Sequence, residues 1–108
     1  MSEYSYKAEV VRWVDGDTVD VIIDLGFRVT TRQRLRLYAV NTPERGQEGF
    51  HEATEFCRLA APHGHQVIVE THKTGKFGRW LAEVWAPGEE QSINDALLEQ
   101  GHAEPYRI

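Results

Sequence analysis

Between residues 18 and 25 the side chains alternate in character: Val19, Val21 and Ile23 interleave with Thr18, Asp20 and Ile22. Successive side chains of an extended strand point to opposite faces, so this pattern predicts a strand with one buried face. Residues 7–14 alternate more loosely and predict a strand before it. The two meet at Asp15-Gly16-Asp17, residue types that tolerate left-handed backbone angles, so a hairpin is expected. Gly26 turns the chain again. Residues 31–40 then predict a third strand, with Leu35, Leu37 and Ala39 on one face and Arg34, Arg36 and Tyr38 on the other.

Pro43 and Gly46 mark a loop, after which the period changes. Over residues 48–61, Phe50, Ala53, Cys57 and Ala60 fall on one helical stripe and Glu48, Glu52 and Glu55 on another. Pro62 and Gly64 stop this helix. Residues 66–71 predict a short strand, 74–78 a loop, and 79–86 a fifth strand. Pro87-Gly88 is a turn. Ser92 is placed to cap a second helix whose buried stripe is Ile93, Ala96 and Leu97, with Gly101 as its stop. Five short strands with a helix between the third and fourth predict an α+β, mainly β chain. The expected architecture is a five-stranded OB-fold barrel with two or so short helices, whose open face suits nucleic acid.

A chain of 108 residues fits one domain, taken as residues 1–108. Its 41% hydrophobic and 27% charged residues are ordinary for a soluble globular chain and argue against disordered and fibrous classes. No apolar run approaches the ~20 residues of a membrane span, and the first residues lack the basic and apolar regions of a secretion signal. An intracellular monomer is therefore expected. Cys57 is the single cysteine, which excludes an internal disulfide framework and predicts a small buried hydrophobe. The net charge of −5 argues against a surface coated with phosphate-binding groups, but the charges are segregated. Arg28, Arg32, Arg34, Arg36 and Arg45 crowd one window, Lys73, Lys76 and Arg79 another, and the C-terminal stretch is acidic.

Hydrolysing a phosphodiester builds negative charge on the phosphoryl oxygens, and a hard divalent cation held by oxygen ligands is the usual counterweight. Asp17 ends the first hairpin turn, and Asn41 and Thr42 leave the third strand near it. One carboxylate, one amide oxygen and one backbone carbonyl make half a coordination shell for Ca²⁺. Glu44, set two residues beyond Thr42 by Pro43, is placed to orient or deprotonate water. Arg36 and Arg79 are candidate planar forks for the phosphate.

Asp15-Gly16-Asp17-Thr18-Val19, Arg36-Leu37-Tyr38-Ala39-Val40-Asn41-Thr42-Pro43-Glu44 and Lys76-Phe77-Gly78-Arg79 resemble, in order and spacing, the three signature segments of the staphylococcal nuclease (thermonuclease-like) family. Asn94-Asp95-Ala96-Leu97-Leu98-Glu99-Gln100-Gly101 resembles the family's last barrel-associated helix, so the likeness covers about residues 7–106. The resemblance implies an OB-fold endonuclease that depends on Ca²⁺. It would cut single-stranded or flexible DNA and RNA at the 5′-O–P bond, leaving 3′-phosphate ends. Carried over by position, Asp17, Asn41 and Thr42 are metal ligands, Glu44 handles the water, and Arg36 and Arg79 stabilise the transition state. Lys73, Lys76 and Tyr106 are further nucleic-acid contacts. The chain departs from the family pattern in three places. Asn41 stands where a ligand aspartate is usual, which removes a negative charge and opens the site to Mg²⁺ or Mn²⁺. Residues 75–78 lack the acidic residue and tyrosine often found before Arg79, and a long basic C-terminal helix is missing by Ile108.

Each signal has a plainer reading. Asp-Gly is a common hairpin turn, and Asn41-Thr42-Pro43-Glu44 is also an ordinary strand exit. Arg28, Arg32 and Arg34 are first read as a solvated face, with Asp15 as a secondary electrostatic influence. A zinc site built from His63, His65 and His72 is disfavoured by their spacing, and Trp13, Trp80 and Trp85 read as core or barrel-surface residues. The competing functional class is a non-catalytic OB-fold module that binds nucleic acid or protein. It has no chemical need for a water-orienting Glu44 beside two arginines.

Overall fold

The computed structural model describes residues 4–74 and 79–106. Strands β1 (Ser5–Asp15) and β2 (Thr18–Asp24) form the expected hairpin about Gly16, and β3 (Thr30–Leu37) pairs antiparallel with β2. After β4 (Val40–Asn41) and helix α1 (Phe50–Ala60) come β5 (Gln66–Thr74) and β6 (Trp80–Trp85), then α2 (Ile93–Glu99) and β7 (Glu104–Pro105). The sheet closes in the order β1-β2-β3-β6-β5, with β5 returning antiparallel to β1 and β3 lying parallel to β6. This is an OB-fold-like barrel in a mainly β chain. Two register shifts in β1, between Val10 and Arg12 and between Trp13 and Asp15, supply the local bending that closure of so small a barrel needs.

Alternation dictates the core. Val10, Val19, Val21, Leu35, Leu37, Val67, Val69 and Val84 are fully buried, each on the inward face of its strand. Helix α1 closes one end with Ala53 and Cys57, and the indole N–H of the buried Trp13 donates to the carbonyl of Ala61 at 2.9 Å. Burial pushes the Cys57 thiol far up, so it stays protonated and behaves as the expected small hydrophobe. Helix α2 starts at Ser92, whose hydroxyl accepts from the Asp95 N–H as a helix cap should. Among the described residues no helix is long and apolar enough to cross a membrane.

Two local departures from expectation matter for the site. The third strand does not run to residue 40. It stops at Leu37, Ala39 takes a left-handed φ of 65°, and the chain re-enters β structure as β4, which pairs with β7. Neither glycine nor asparagine marks this turn, so the pattern of apolar residues runs straight through it. Asn94 on α2 holds the turn instead. It is buried, donates to the carbonyls of Tyr38 and Ala82 (3.0 Å each), and accepts the Val84 N–H at 3.1 Å. Helix α1 is also shorter than residues 48–61, beginning after Gly49 with its φ of 91°.

Candidate active site

The turn from β1 into β2 is built around a position with no room for a side chain. A Cβ on Gly16 would lie 2.9 Å from both the Ala53 Cβ and the Thr42 Oγ1. The absence of that carbon lets the hairpin turn press against α1 and the loop after β4. It is thus packing, and not only turn conformation, that sets Asp17 beside Thr42.

Asp17 is buried, and each of its polar atoms is engaged. Its carbonyl accepts the Leu37 N–H at 2.8 Å, its N–H donates to Asp15 Oδ1 at 3.1 Å, and its Oδ1 accepts the Thr18 hydroxyl at 3.1 Å. Its Oδ2 accepts the Thr42 N–H at 3.2 Å and lies 3.4 Å from Arg36 Nη1. Arg36 also donates from Nη1 to the Val40 carbonyl at 3.1 Å and from Nη2 to Asn41 Oδ1 at 3.3 Å. One guanidinium therefore bridges the two side chains expected to be metal ligands. The ring of Tyr106 lies 5.5 Å from the Arg36 guanidinium carbon, and the Tyr106 N–H is fixed to the Ala39 carbonyl at 2.9 Å.

The other expected residues lie around this cluster. Glu44 is exposed in the loop beyond Pro43, where its N–H donates to Gln47 Oε1 at 2.7 Å and its carbonyl accepts the Gln47 N–H at 2.9 Å. Arg79 directly precedes β6, whose Trp80, Leu81 and Ala82 run beside Leu35, Arg36 and Leu37. No hydrogen bond or ion pair joins Glu44 or Arg79 to Asp17 among the described residues. Lys73 sits on β5, but its side chain and the whole of Lys76 lie outside the described residues. A groove of about 410 Å³ is lined by Asn41 and Thr42 together with Pro43, Gln47, His102 and Glu104. Two of the three histidines considered for zinc are engaged apart from one another: His63 Nδ1 contacts the Val11 carbonyl, and His72 stacks on Tyr38 at 4.0 Å between ring centroids.

The donors at this point are of the oxygen type that a hard divalent cation takes. The carboxylate of Asp17 and the amide oxygen of Asn41 both face the Arg36 guanidinium at one end of the barrel, so a cation would have to share these oxygens with Arg36 or displace it from them. No three His, Cys, Asp or Glu side chains gather as ligands among the described residues, so the amide and the backbone would have to complete the shell. Local charge points the same way. Burial, then the hydrogen bond and negative charge of Asp17, push the Asp15 carboxyl up to about 6. The Asp15–Asp17 pairing was legible only as a possible electrostatic influence, because nothing in Asp-Gly-Asp says how deeply the first carboxyl is buried.

That shift has a measurable consequence in metal-free protein. Because folding raises the Asp15 pKa, the protonated form is favoured in the fold. Its contribution to stability is full below 3.8 and is lost as pH rises through about 6. Asp15→Asn keeps the Oδ1 acceptor for the Asp17 N–H and never ionises. The variant's melting temperature, relative to the unsubstituted chain, is expected to climb between pH 4 and pH 7. A constant difference across that range, measured by thermal melting in chelator, contradicts this assignment.

The sequence comparisons agree with the geometry. The profile of the family described as staphylococcal nuclease homologue matches residues 34–108. The chain is 36% identical over 110 residues to a protein named micrococcal nuclease from Shigella flexneri, covering 94% of this chain and 59% of that one. It is 32% identical over 109 residues to protein ParB of Escherichia coli, covering 94% and 58%. A third relative, an uncharacterized endonuclease of Escherichia coli O157:H7, is 31% identical over 97 residues, covering 90% and 59%. The chain thus spans a little under three fifths of the length of these relatives. By its profile match and by its barrel with Asp17, Arg36 and Asn41 gathered at one end, the chain belongs to the staphylococcal nuclease homologue family.

Proposed function

We propose that the chain is a divalent-cation-dependent nuclease that hydrolyses single-stranded or flexible DNA and RNA at the 5′-O–P bond, leaving 3′-phosphate ends. The observation that carries this reading is the convergence of Asp17, Asn41 and Arg36: two oxygen donors and a guanidinium with N–H groups to spare, at one point of the barrel. Asp17, Asn41 and the Thr42 carbonyl would hold the cation, with Ca²⁺ the first expectation and Mg²⁺ or Mn²⁺ open because Asn41 is neutral. When bound, the cation supplies Lewis-acid stabilisation of charge on the phosphoryl oxygens.

The chain's own residues supply the rest. Arg36 grips the phosphate, and Arg79, which directly precedes the strand paired with β3, would supply a second guanidinium to it. Glu44 is exposed on a loop held by its two hydrogen bonds to Gln47, which leaves its carboxylate available to accept a proton from an attacking water. Tyr106, lying against Arg36, would restrain that side chain and offer a stacking ring to a base of the substrate.

Incubation with denatured DNA, with and without chelator, tests the reading, together with an end-group assay of the fragments. The expected fragments are primers for a polymerase only after phosphatase treatment. Chelator-resistant cleavage, or ends extended without phosphatase, would overturn it. Glu44→Gln is expected to lower turnover by about 10²-fold with an unchanged melting temperature. Turnover within a few-fold of the unsubstituted chain removes Glu44 from the mechanism.

A further inference from the structure

We propose that the outer face of β1, β2 and β3 is a second phosphate-binding surface, on which Arg34, Arg32 and Arg12 lead a nucleic-acid single strand from the candidate active site towards Phe27. The proposal rests on the reading of the chain as a nuclease for single strands, but it concerns residues outside the cleavage machinery.

Strand register lays the arginines out in a row. Thr18 pairs with Arg36, Asp20 with Arg34 and Ile22 with Arg32, so alternate residues of β3 step away from the site along one face. Each step is about 6.7 Å, similar to the spacing of consecutive phosphates on an extended single strand. Arg12 joins from β1, opposite Asp20. The row begins at the candidate site itself, because Arg36 is its first member.

A single carboxylate stands among the three arginines. The Asp20 side chain is 6% exposed, against 49% for Arg34 and 63% for Arg12 and Arg32. Arg34 satisfies it in a two-point grip, Nε to Oδ1 at 2.8 Å and Nη2 to Oδ2 at 3.2 Å. Arg12 adds a 3.3 Å contact from Nε, and Arg32 reaches only to 4.0 Å. Three cations gathered on one anion are a local excess of positive charge about Asp20, in a chain whose net charge is −5. Folding has no use for that surplus, since exposed ion pairs contribute little and crowded guanidiniums repel. An external polyanion does. Each guanidinium has five N–H donors, and Asp20 occupies at most two of any one of them. Farther along the same face the acidic Glu9, opposite Ile22, and Asp24, opposite Thr30, are matched by Lys7 and Arg28 beside Phe27.

The row ends at an aromatic ring with no packing partner in the core. Phe27 is fully exposed at the tip of the β2–β3 hairpin. Gly26, Phe27 and Arg28 all take left-handed angles there (φ 83°, 54° and 63°). For the two non-glycine residues that conformation is strained. Basic side chains followed by an exposed ring are the elements by which a barrel tracks a single strand, phosphates on the cations and a base on the ring.

The test is fluorescence anisotropy with labelled single-stranded DNA of about 4 and about 14 nucleotides, in chelator so that nothing is cut, over a range of salt. Arg12→Gln and Arg32→Gln are each expected to weaken binding of the longer strand roughly threefold to tenfold. Each should flatten its salt dependence by about 0.7 in log–log slope and leave the shorter strand unaffected. Phe27→Ala should weaken the longer strand without changing the slope. Arg58→Gln removes the same charge from α1 and should change neither. The proposal fails if Arg12→Gln and Arg32→Gln behave like Arg58→Gln, or if both lengths weaken alike. Strand binding by these arginines in a chain that cuts nothing would retain this surface and overturn the nuclease reading. Cleavage with length-independent binding would do the reverse.

Discussion

Replacing Arg36 with glutamine is expected to lower turnover on denatured DNA by about 10²- to 10³-fold, with Arg36→Lys recovering only a minor part. The reason is geometric. Arg36 reaches Asp17 with one terminal nitrogen and Asn41 with the other, while the first also holds the Val40 carbonyl. A lysine restores the charge but has no fork with which to hold both partners and present a further N–H pair to a phosphate. Lysine and glutamine variants of equal melting temperature, both with turnover close to that of the unsubstituted chain, would remove Arg36 from the transition state. Loss of turnover in both with a lowered melting temperature would instead point to a role in holding the turn. Circular dichroism and initial rates on the same samples separate the two.

The largest stability effect is expected at a residue with no side chain. Gly16→Ala places a Cβ at 2.9 Å from Ala53 and from Thr42 Oγ1, closer than carbon and oxygen tolerate. Both neighbours are buried, so relief requires α1 or the loop after β4 to move. Overpacking of this kind typically costs about 1–3 kcal/mol. The site is expected to suffer beyond that cost, because the same displacement pulls Thr42 away from Asp17 and spreads the ligand set. Denaturant unfolding should show a lowered midpoint, and turnover of the folded fraction should fall as well. A variant with normal stability would mean that the turn and α1 are less tightly apposed than the structure has them.

Much of this arrangement is legible in the chain because its signals are local. Val19, Val21 and Ile23 announce β2 by alternation alone, Ser92 announces α2 by its cap, and Asp15-Gly16-Asp17 announces the turn that carries Asp17. Asn41 and Thr42 are readable as a strand exit for the same reason. What escaped depends on contacts between distant segments. The left-handed Ala39 breaks the third strand without a residue type that signals it, and the Asn94 amide that secures the turn is 55 residues away, 94 − 39 = 55. The β4–β7 ladder is only two residues long on each side, too short for any periodicity. Arg34 reads as a solvated face until the register puts it opposite the buried Asp20. The bridging of Asp17 and Asn41 by Arg36 was likewise invisible, since the sequence places the three near one another but says nothing of which atoms meet.

Asn41 is one of three places where this chain departs from the pattern its family resemblance implies. A neutral amide supplies one lone-pair oxygen where a carboxylate would supply charge as well, and its Oδ1 already accepts from Arg36. A cation bound between Asp17 and Asn41 is therefore held with one negative charge fewer from position 41. The measurement that tests this most directly is the initial rate of denatured-DNA cleavage as a function of Ca²⁺, Mg²⁺ and Mn²⁺ concentration, for the unsubstituted chain and for Asn41→Asp side by side. The expected result is saturable, chelator-reversible activation whose midpoint falls at least several-fold in Asn41→Asp and whose order of preference among the three ions changes. Identical midpoints and preferences in the two proteins, or activity indifferent to all three ions, would contradict the placement of a catalytic cation between Asp17 and Asn41.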